Sequence, residues 1–134
     1  MQIVDDLIGV PFADGGRGPD AFDCWGLCRE VYRRFGLELP DYEVCCYDAE
    51  SFLRHFTDQR PLWRRHELPD VPVPAVVAIH FNAPNVNHVG VYIGAGRFLH
   101  TREKTGVVIE LAASPAWKRR IEGFYTPKEV RSCP

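Results

Sequence analysis

The stretch Phe22-Asp23-Cys24-Trp25-Gly26-Leu27 decides how this chain folds, because a Gly-rich loop ends there and an amphipathic helix begins. Apolar side chains recur downstream at the spacing of one helical face, which predicts a helix from Cys24 to Phe35. Asp23 is placed to cap the N-terminus of this helix, and Gly36 is placed to end it. A cysteine therefore occupies the first turn of the predicted helix.

The rest of the sequence predicts an α+β domain in which N-terminal helices pack on a small antiparallel sheet. Residues 2–8 predict a helical turn, and residues 48–56 predict a second helix. Residues 60–74 are rich in Pro and Arg, which predicts a surface connection or one wall of a binding groove. Runs rich in β-branched and aromatic residues predict five strands, at 75–81, 88–93, 98–101, 107–111 and 120–125. The length fits a single domain, 1–134.

Composition and charge exclude several classes of protein. The net charge of −2 argues against general attraction to nucleic acid. The sequence has no run of eighteen apolar residues, so it predicts no membrane insertion. The N-terminus lacks the basic region and apolar core of a signal peptide. This predicts a protein that is made in a cytoplasm and is not exported by means of a signal peptide.

The cysteines predict neither a disulfide framework nor a metal site. Their number, five, is odd, and a secreted framework would more often show an even number. Cys45 and Cys46 are adjacent, and no CxxC pair occurs, so we expect no metal site. No organic cofactor is expected either, because nucleophilic chemistry at a cysteine needs none. All cysteines except Cys24 are predicted to be small buried hydrophobes.

Cys24 and two later histidines are the parts of a nucleophilic site. The start of a helix stabilises a thiolate, and its backbone N–H groups can stabilise an oxyanion. His88 begins a predicted strand and is the candidate base, while His100 on the next strand is the candidate orienting residue. A buried cysteine or a strand histidine alone is more often structural, and only the combination indicates catalysis.

The hairpin between the two strands tests whether the histidines meet. If Gly94–Gly96 forms a three-residue loop, His88 and His100 are diagonal neighbours on one face, and Gly90 leaves room between them. A two-residue loop would put His100 on the opposite face. The three-residue loop predicts the cross-strand pairs Ile93–Arg97, Val91–Leu99 and Gly90–His100.

These motifs together resemble the NlpC/P60 family of cysteine peptidases, which has a papain-like α+β fold. The resemblance implies that Cys24 is the nucleophile, His88 the general base and His100 the residue that orients His88. It is carried by residues 7–12, Gly15-Gly16, Asp23–Leu27, Gly36, Pro40, His88–Gly94 and Phe98–His100.

The family implies hydrolysis of peptidoglycan stem peptides at the bond between D-γ-glutamate and a diamino acid. The form of Asp23–Leu27, with Gly16-Arg17-Gly18-Pro19 just upstream, looks most like the branch found in phage tail assembly proteins. The resemblance therefore implies a phage or prophage tail-tip protein that is made in the host cytoplasm and acts in the periplasm. Its expected partners are the stem peptide and other tail-tip proteins.

Two positions depart from the family pattern. Phe12 stands where many relatives have a tyrosine, and Trp25 replaces the usual serine after the nucleophile. We expect Phe12, Asp23, Trp25 and Tyr92 to contact substrate. Two other functions remain open: a non-catalytic tail-tip docking module, and a thiol deamidase or acyltransferase with the same three catalytic residues.

Overall fold

The computed structural model describes residues 3–42 and 48–133. Within them a 3₁₀ turn, Asp5–Leu7, comes before the first α-helix. The helices are α1 (Cys24–Arg34), α2 (Ala49–Gln59) and the one-turn α3 (Pro115–Lys118). The strands are β1 (Leu37–Glu38), β2 (Trp63–His66), β3 (Ala75–Ile79), β4 (His88–Gly94), β5 (Arg97–Arg102), β6 (Gly106–Leu111), β7 (Ile121–Pro127) and β8 (Arg131–Ser132).

Six strands form one antiparallel sheet in the order β2-β7-β3-β4-β5-β6, and β1 pairs with β8 in a separate two-stranded ribbon. Helices α1 and α2 precede all six strands of this sheet in the chain, whereas the one-turn α3 lies between β6 and β7. The predicted α+β architecture is confirmed. No helix in the described ranges is long and apolar enough to cross a membrane.

The central strands of the sheet are buried on both faces. On one face, Leu27 and Val31 of α1 pack with alternate residues of β4 and β5 such as Val91 and Leu99. The other face carries a second core around Trp117. Because side chains alternate along a strand, the two cores fix the register of β4 and β5. A shift of the strand register by one residue would move the side chains of each core to the opposite face of the sheet.

The segment 60–74, predicted as a connection, contains strand β2. This strand pairs with β7 at the edge of the sheet, for example through Arg65 and Tyr125. It was missed because it has four residues, two of them exposed arginines, and therefore gives no apolar run. The second helix, predicted over residues 48–56, begins one residue later, after Asp48, whose side chain accepts from Ser51 N at 3.1 Å, and it continues to Gln59.

The predicted three-residue hairpin loop is wrong. The turn has two residues, Ala95 and Gly96, both with positive φ (53° and 74°), as the type I′ hairpin turn requires. Gly94, not Ile93, pairs with Arg97. A bulge between Tyr92 and Gly94 accommodates the extra residue, so that the predicted Val91–Leu99 pair is kept and His100 remains on the face of His88.

Candidate active site

Helix α1 begins at Cys24 because Asp23 caps it. The Asp23 carboxylate accepts a hydrogen bond from Gly26 N at 2.7 Å, as predicted. Arg17 of the Gly-rich loop makes an ion pair with the same oxygen at 2.7 Å, and Asp23 N donates to the Gly16 carbonyl at 3.0 Å. The loop is therefore tied to the helix start, which fixes the backbone around the candidate nucleophile.

Helix α1 lies along strand β4 with its first turn near the beginning of the strand. One turn after Cys24, the Cys28 thiol donates to the carbonyl oxygen of Gly90 at 3.2 Å. Trp25 and Val89, the neighbours of Cys24 and His88 in sequence, line the same pocket. The packing thus brings the candidate nucleophile and the candidate base to one end of the domain. Cys24 is 3% exposed and His88 is 7% exposed.

The two histidines are in contact, as the face assignment predicted. His88 Nε2 lies 3.0 Å from His100 Nδ1. Gly90 leaves the room this contact needs, because an added Cβ would lie 3.3 Å from the His100 Cβ and 2.6 Å from the Leu99 carbonyl oxygen. Since Nε2 of His88 is engaged by His100, Nδ1 is the ring nitrogen left to exchange a proton with a thiol.

A third polar group, Glu110, was not recognised in the sequence. Its Oε2 lies 3.1 Å from His100 Nε2. The register of β5 and β6 pairs Phe98 with Glu110 and His100 with Val108, so Glu110 is a diagonal neighbour of His100. The signal was present in the alternation of residues 107–111, but using it requires the register of a second hairpin.

Both imidazoles are neutral at neutral pH. The pKa of His88 is lowered to about 3, mainly by burial and also by the positive charges of Arg102 and of His100 in its protonated form. Burial also lowers the pKa of His100, against the opposing effect of the Glu110 carboxylate. The pKa of Cys28, in contrast, is raised well above its usual value by burial, so this thiol stays protonated as a hydrogen-bond donor.

The low pKa of His88 predicts loss of stability in mild acid. Below pH 6.5, His88 binds a proton in the unfolded chain but stays neutral in the folded protein. The free energy of unfolding therefore decreases as the pH is lowered from 6.5 to about 3. For one such histidine the loss between pH 7.5 and pH 5 is about 2 kcal/mol. Urea unfolding should show a smaller loss for His88→Gln than for the wild type. Parallel pH curves would contradict the prediction.

A cavity of about 250 Å³ opens beside His88 at the strand ends. Phe12 lines it, as expected for a residue near the active site. Thr101 and Arg102 also line it, and Thr101 Oγ1 and Arg102 Nε are buried without a hydrogen-bond partner in the described part of the chain. The Arg102 guanidinium lies over the Phe81 ring, with Cζ 4.4 Å from the centroid. The cavity therefore offers positive charge next to the base.

The other residues predicted to bind substrate have structural contacts. Trp25 donates to the Pro40 carbonyl at 2.9 Å and lines an apolar pocket of about 70 Å³. Tyr92 lies in the second core, where its hydroxyl accepts from Gly96 N at 3.0 Å. Asp23 is occupied by the helix cap and by Arg17. We therefore leave Tyr92 and Asp23 out of the proposed substrate contacts.

The remaining cysteines divide into three cases. Cys28 is buried, as predicted. Cys133 is only half-buried, which corrects the prediction, because it lies in the exposed C-terminal segment after β8. Cys45 and Cys46 lie outside the described residues. Among the residues with described structure, no group of three or more His, Cys, Asp or Glu side chains is arranged to hold a metal ion.

Comparisons with known proteins agree on the fold. A family model described as NlpC/P60 family matches residues 9–126. The murein DD-endopeptidase MepS/murein LD-carboxypeptidase of Escherichia coli K12 is 28% identical over 121 residues, which are 90% of this chain and 57% of that protein. A gamma-DL-glutamyl hydrolase of Bacillus subtilis is 28% identical over 96% of this chain and 30% of its own length. The chain thus spans about half or less of these curated relatives.

Solved structures show the same architecture. The NlpC/p60 domain of the peptidoglycan hydrolase SagA superposes with a TM-score of 0.62 at 18% identity, covering 92% of both chains. A protein of the same family from Staphylococcus aureus gives a TM-score of 0.65 at 23% identity, covering 95% of this chain and 39% of that one. At these identities the likeness extends to the fold alone.

Proposed function

Because the chain belongs to the NlpC/P60 family, we propose that it is a cysteine peptidase that cleaves peptidoglycan stem peptides between D-γ-glutamate and the following diamino acid. The observation that carries the proposal is the contact of two buried, neutral histidines at the end of the sheet where a capped helix presents Cys24. The names of the Escherichia coli and Bacillus subtilis relatives, a murein endopeptidase and a γ-glutamyl hydrolase, support the substrate class.

The reaction uses the side chains as follows. The Cys24 thiol gives its proton to His88 Nδ1 while Sγ bonds to the scissile carbonyl carbon. Backbone N–H groups at the start of α1 stabilise the oxyanion. The C–N bond then breaks, and His88 returns the proton to the leaving amine. Water attacks the thioester in the same way, giving a carboxylic acid and the free thiol.

The cavity beside His88 suits a carboxylate of the substrate. In the proposed stem peptide, the D-glutamate α-carboxylate is near the scissile γ-amide. Arg102 lines the cavity and its Nε has no hydrogen-bond partner among the described residues, so a carboxylate in the cavity would pair with this guanidinium. We place the D-glutamate α-carboxylate against Arg102 and the leaving diamino acid beyond His88.

A pair of substrates tests this placement. Stem peptides with a free D-glutamate α-carboxylate should be cleaved with a kcat/KM about 10- to 100-fold above that of the α-carboxamide form, the range of one charged hydrogen bond. Arg102→Gln should reduce this ratio to about 3 or less. Arg120→Gln is the matched control, because its guanidinium stacks on the same Phe81 ring, at 5.0 Å. An unchanged ratio in Arg102→Gln would remove Arg102 from the substrate site.

Product analysis tests the proposed reaction itself. Purified Gram-negative peptidoglycan is digested, and the products are identified by mass spectrometry. Fragments that end in D-γ-glutamate support the peptidase. Released ammonia or a transferred acyl group would assign the site to a deamidase or an acyltransferase, and no product from folded protein would favour a docking module.

We further propose that the protein works at a phage or prophage tail tip, with other tail-tip proteins as partners. It would be made in the host cytoplasm and cut the wall locally from the periplasm as DNA enters. The support is the form of Asp23–Leu27 with Gly16-Arg17-Gly18-Pro19 just upstream. Finding the protein in purified particles by mass spectrometry would agree with this role, and its absence from them would contradict it.

A further inference from the structure

Glu110 extends the two catalytic histidines into a row of three polar groups. Its carboxylate oxygen is 3.1 Å from His100 Nε2, and His100 Nδ1 is 3.0 Å from His88 Nε2. His100 is fully buried, whereas the Glu110 side chain is 27% exposed. The row therefore runs from the surface of the sheet to the candidate base.

The chemistry of these groups fixes where each proton lies. A carboxylate only accepts hydrogen bonds, so His100 Nε2 carries the hydrogen. A neutral His100 then has a lone pair on Nδ1 and accepts from His88 Nε2–H. A neutral His88 with its hydrogen on Nε2 has its lone pair on Nδ1, where a base for the thiol needs it.

We propose that Glu110 is a positioning residue that sets the tautomer of His88 through His100. The inference rests on the proposed function, in which His88 Nδ1 is the general base. Without the carboxylate, His100 can carry its hydrogen on Nδ1 and donate to His88 Nε2. The lone pair of His88 then points away from the reacting thiol, and Nδ1 is already protonated.

The surroundings of His100 allow tautomer exchange without large movement. The ring is held by its neighbours, with the Trp117 ring centroid at 4.6 Å and the Phe98 ring centroid at 5.5 Å. These contacts fix the plane of the imidazole but do not distinguish its two nitrogens. Among the described residues, the hydrogen-bond partners of the two ring nitrogens are His88 and Glu110, and these partners distinguish one nitrogen from the other.

Three variants separate positioning from general stability. Glu110→Ala removes the acceptor. Glu110→Gln is nearly isosteric and can still accept through its amide oxygen, so it serves if the alanine variant fails to fold. Glu122→Gln is the matched control, because Glu122 is a carboxylate on the same sheet with a similar exposure of 28%. The ¹⁵N chemical shifts of the His88 ring report its tautomer directly at neutral pH, and steady-state kinetics on a stem tetrapeptide report kcat and KM.

In the wild type and in Glu122→Gln, we expect His88 with hydrogen on Nε2 only. Glu110→Ala should show a population with hydrogen on Nδ1 and a kcat about 10- to 100-fold lower, the range found when metal-binding histidines lose the partner that orients them. Its KM should remain within about twofold, because the substrate-binding groups are untouched. Glu110→Gln should recover part of the rate.

An unchanged His88 tautomer in Glu110→Ala, or an equal loss of kcat in Glu122→Gln, would overturn the proposal. The nuclear magnetic resonance measurement needs no substrate. If the wild-type protein cleaved no stem peptide, the proposed function would fail, while the tautomer shift would still decide the role of Glu110.

Discussion

Replacing Cys24 with alanine is expected to lower stem-peptide hydrolysis by about 10³-fold or more and to leave the fold intact. The other cysteine of the helix cannot substitute. Cys28 is fully buried, its thiol donates to the Gly90 carbonyl at 3.2 Å, and burial raises its pKa. We therefore expect a single reactive thiol in α1, at its first turn.

Cys28→Ala is the matched control, one helical turn away on the same helix. It removes a buried side chain and leaves the Gly90 carbonyl oxygen without its donor, so it should cost about 1 to 3 kcal/mol of stability. Its hydrolysis rate per folded molecule should stay within about threefold of the wild type. Cys24→Ala should therefore lose activity and keep its stability, whereas Cys28→Ala should lose stability and keep its activity.

Kinetics, urea unfolding and mass mapping of iodoacetamide labelling measure these effects. Labelling of the wild type should be fast at Cys24 and absent at Cys28. Full activity in Cys24→Ala would rule out the thioester mechanism. Loss of activity in both variants, with stability unchanged, would mean that the two thiols do not have the separate roles described above.

Gly90→Ala is expected to lower the free energy of unfolding by about 2 to 4 kcal/mol, together with loss of activity. The new Cβ would lie 2.6 Å from the carbonyl oxygen of Leu99, which is backbone of the neighbouring strand. Relief requires moving β4 away from β5, and that movement separates His88 from His100.

Gly123→Ala on β7 is a control with the same nominal clash. Its Cβ would also meet an atom at 2.6 Å, but this atom is Nε of Arg65, near the end of a flexible side chain. We expect a cost of about 1 kcal/mol or less and normal hydrolysis. Urea unfolding and kcat should separate the two variants, and equal losses would mean that a strand glycine is needed at either site for reasons other than space.

The sequence was sufficient to predict the parts of the site that depend on local spacing. The helix of Cys24 and its Asp23 cap follow from the helical periodicity of 3.6 residues and from the position of Asp23 before it. The shared face of His88 and His100 was predicted with a three-residue loop, and it is found with a two-residue turn because the bulge between Tyr92 and Gly94 takes up the third residue. Glu110 and Arg102 lie on that same face of β6 and β5, but recognising them requires knowing which strands are neighbours. Pairing between strands is a tertiary choice that no single strand determines.

The errors in the fold prediction have equally specific causes. Strand β2 is short and exposed at the sheet edge, so its residues lack the apolar alternation that identifies a strand. The prediction of the hairpin turn depended on whether Gly94, with φ of 91°, is assigned to the loop or to the strand. Glycine can adopt the backbone conformation of either position. The packing of the two cores, which fixes the register of β4 and β5, places Gly94 in the strand.

The bulge between Tyr92 and Gly94 determines which changes in the length of this hairpin preserve the faces of its side chains. One residue lies in the bulge and two form the turn, so what matters is whether the number of inserted or deleted residues is even or odd. An insertion or deletion of one residue would send Leu99 and Thr101 to the face of Phe98 and His100 unless the bulge compensated. Homologous hairpins should therefore vary in length by even steps, or exchange a bulge for a turn residue, wherever a histidine pair must be preserved.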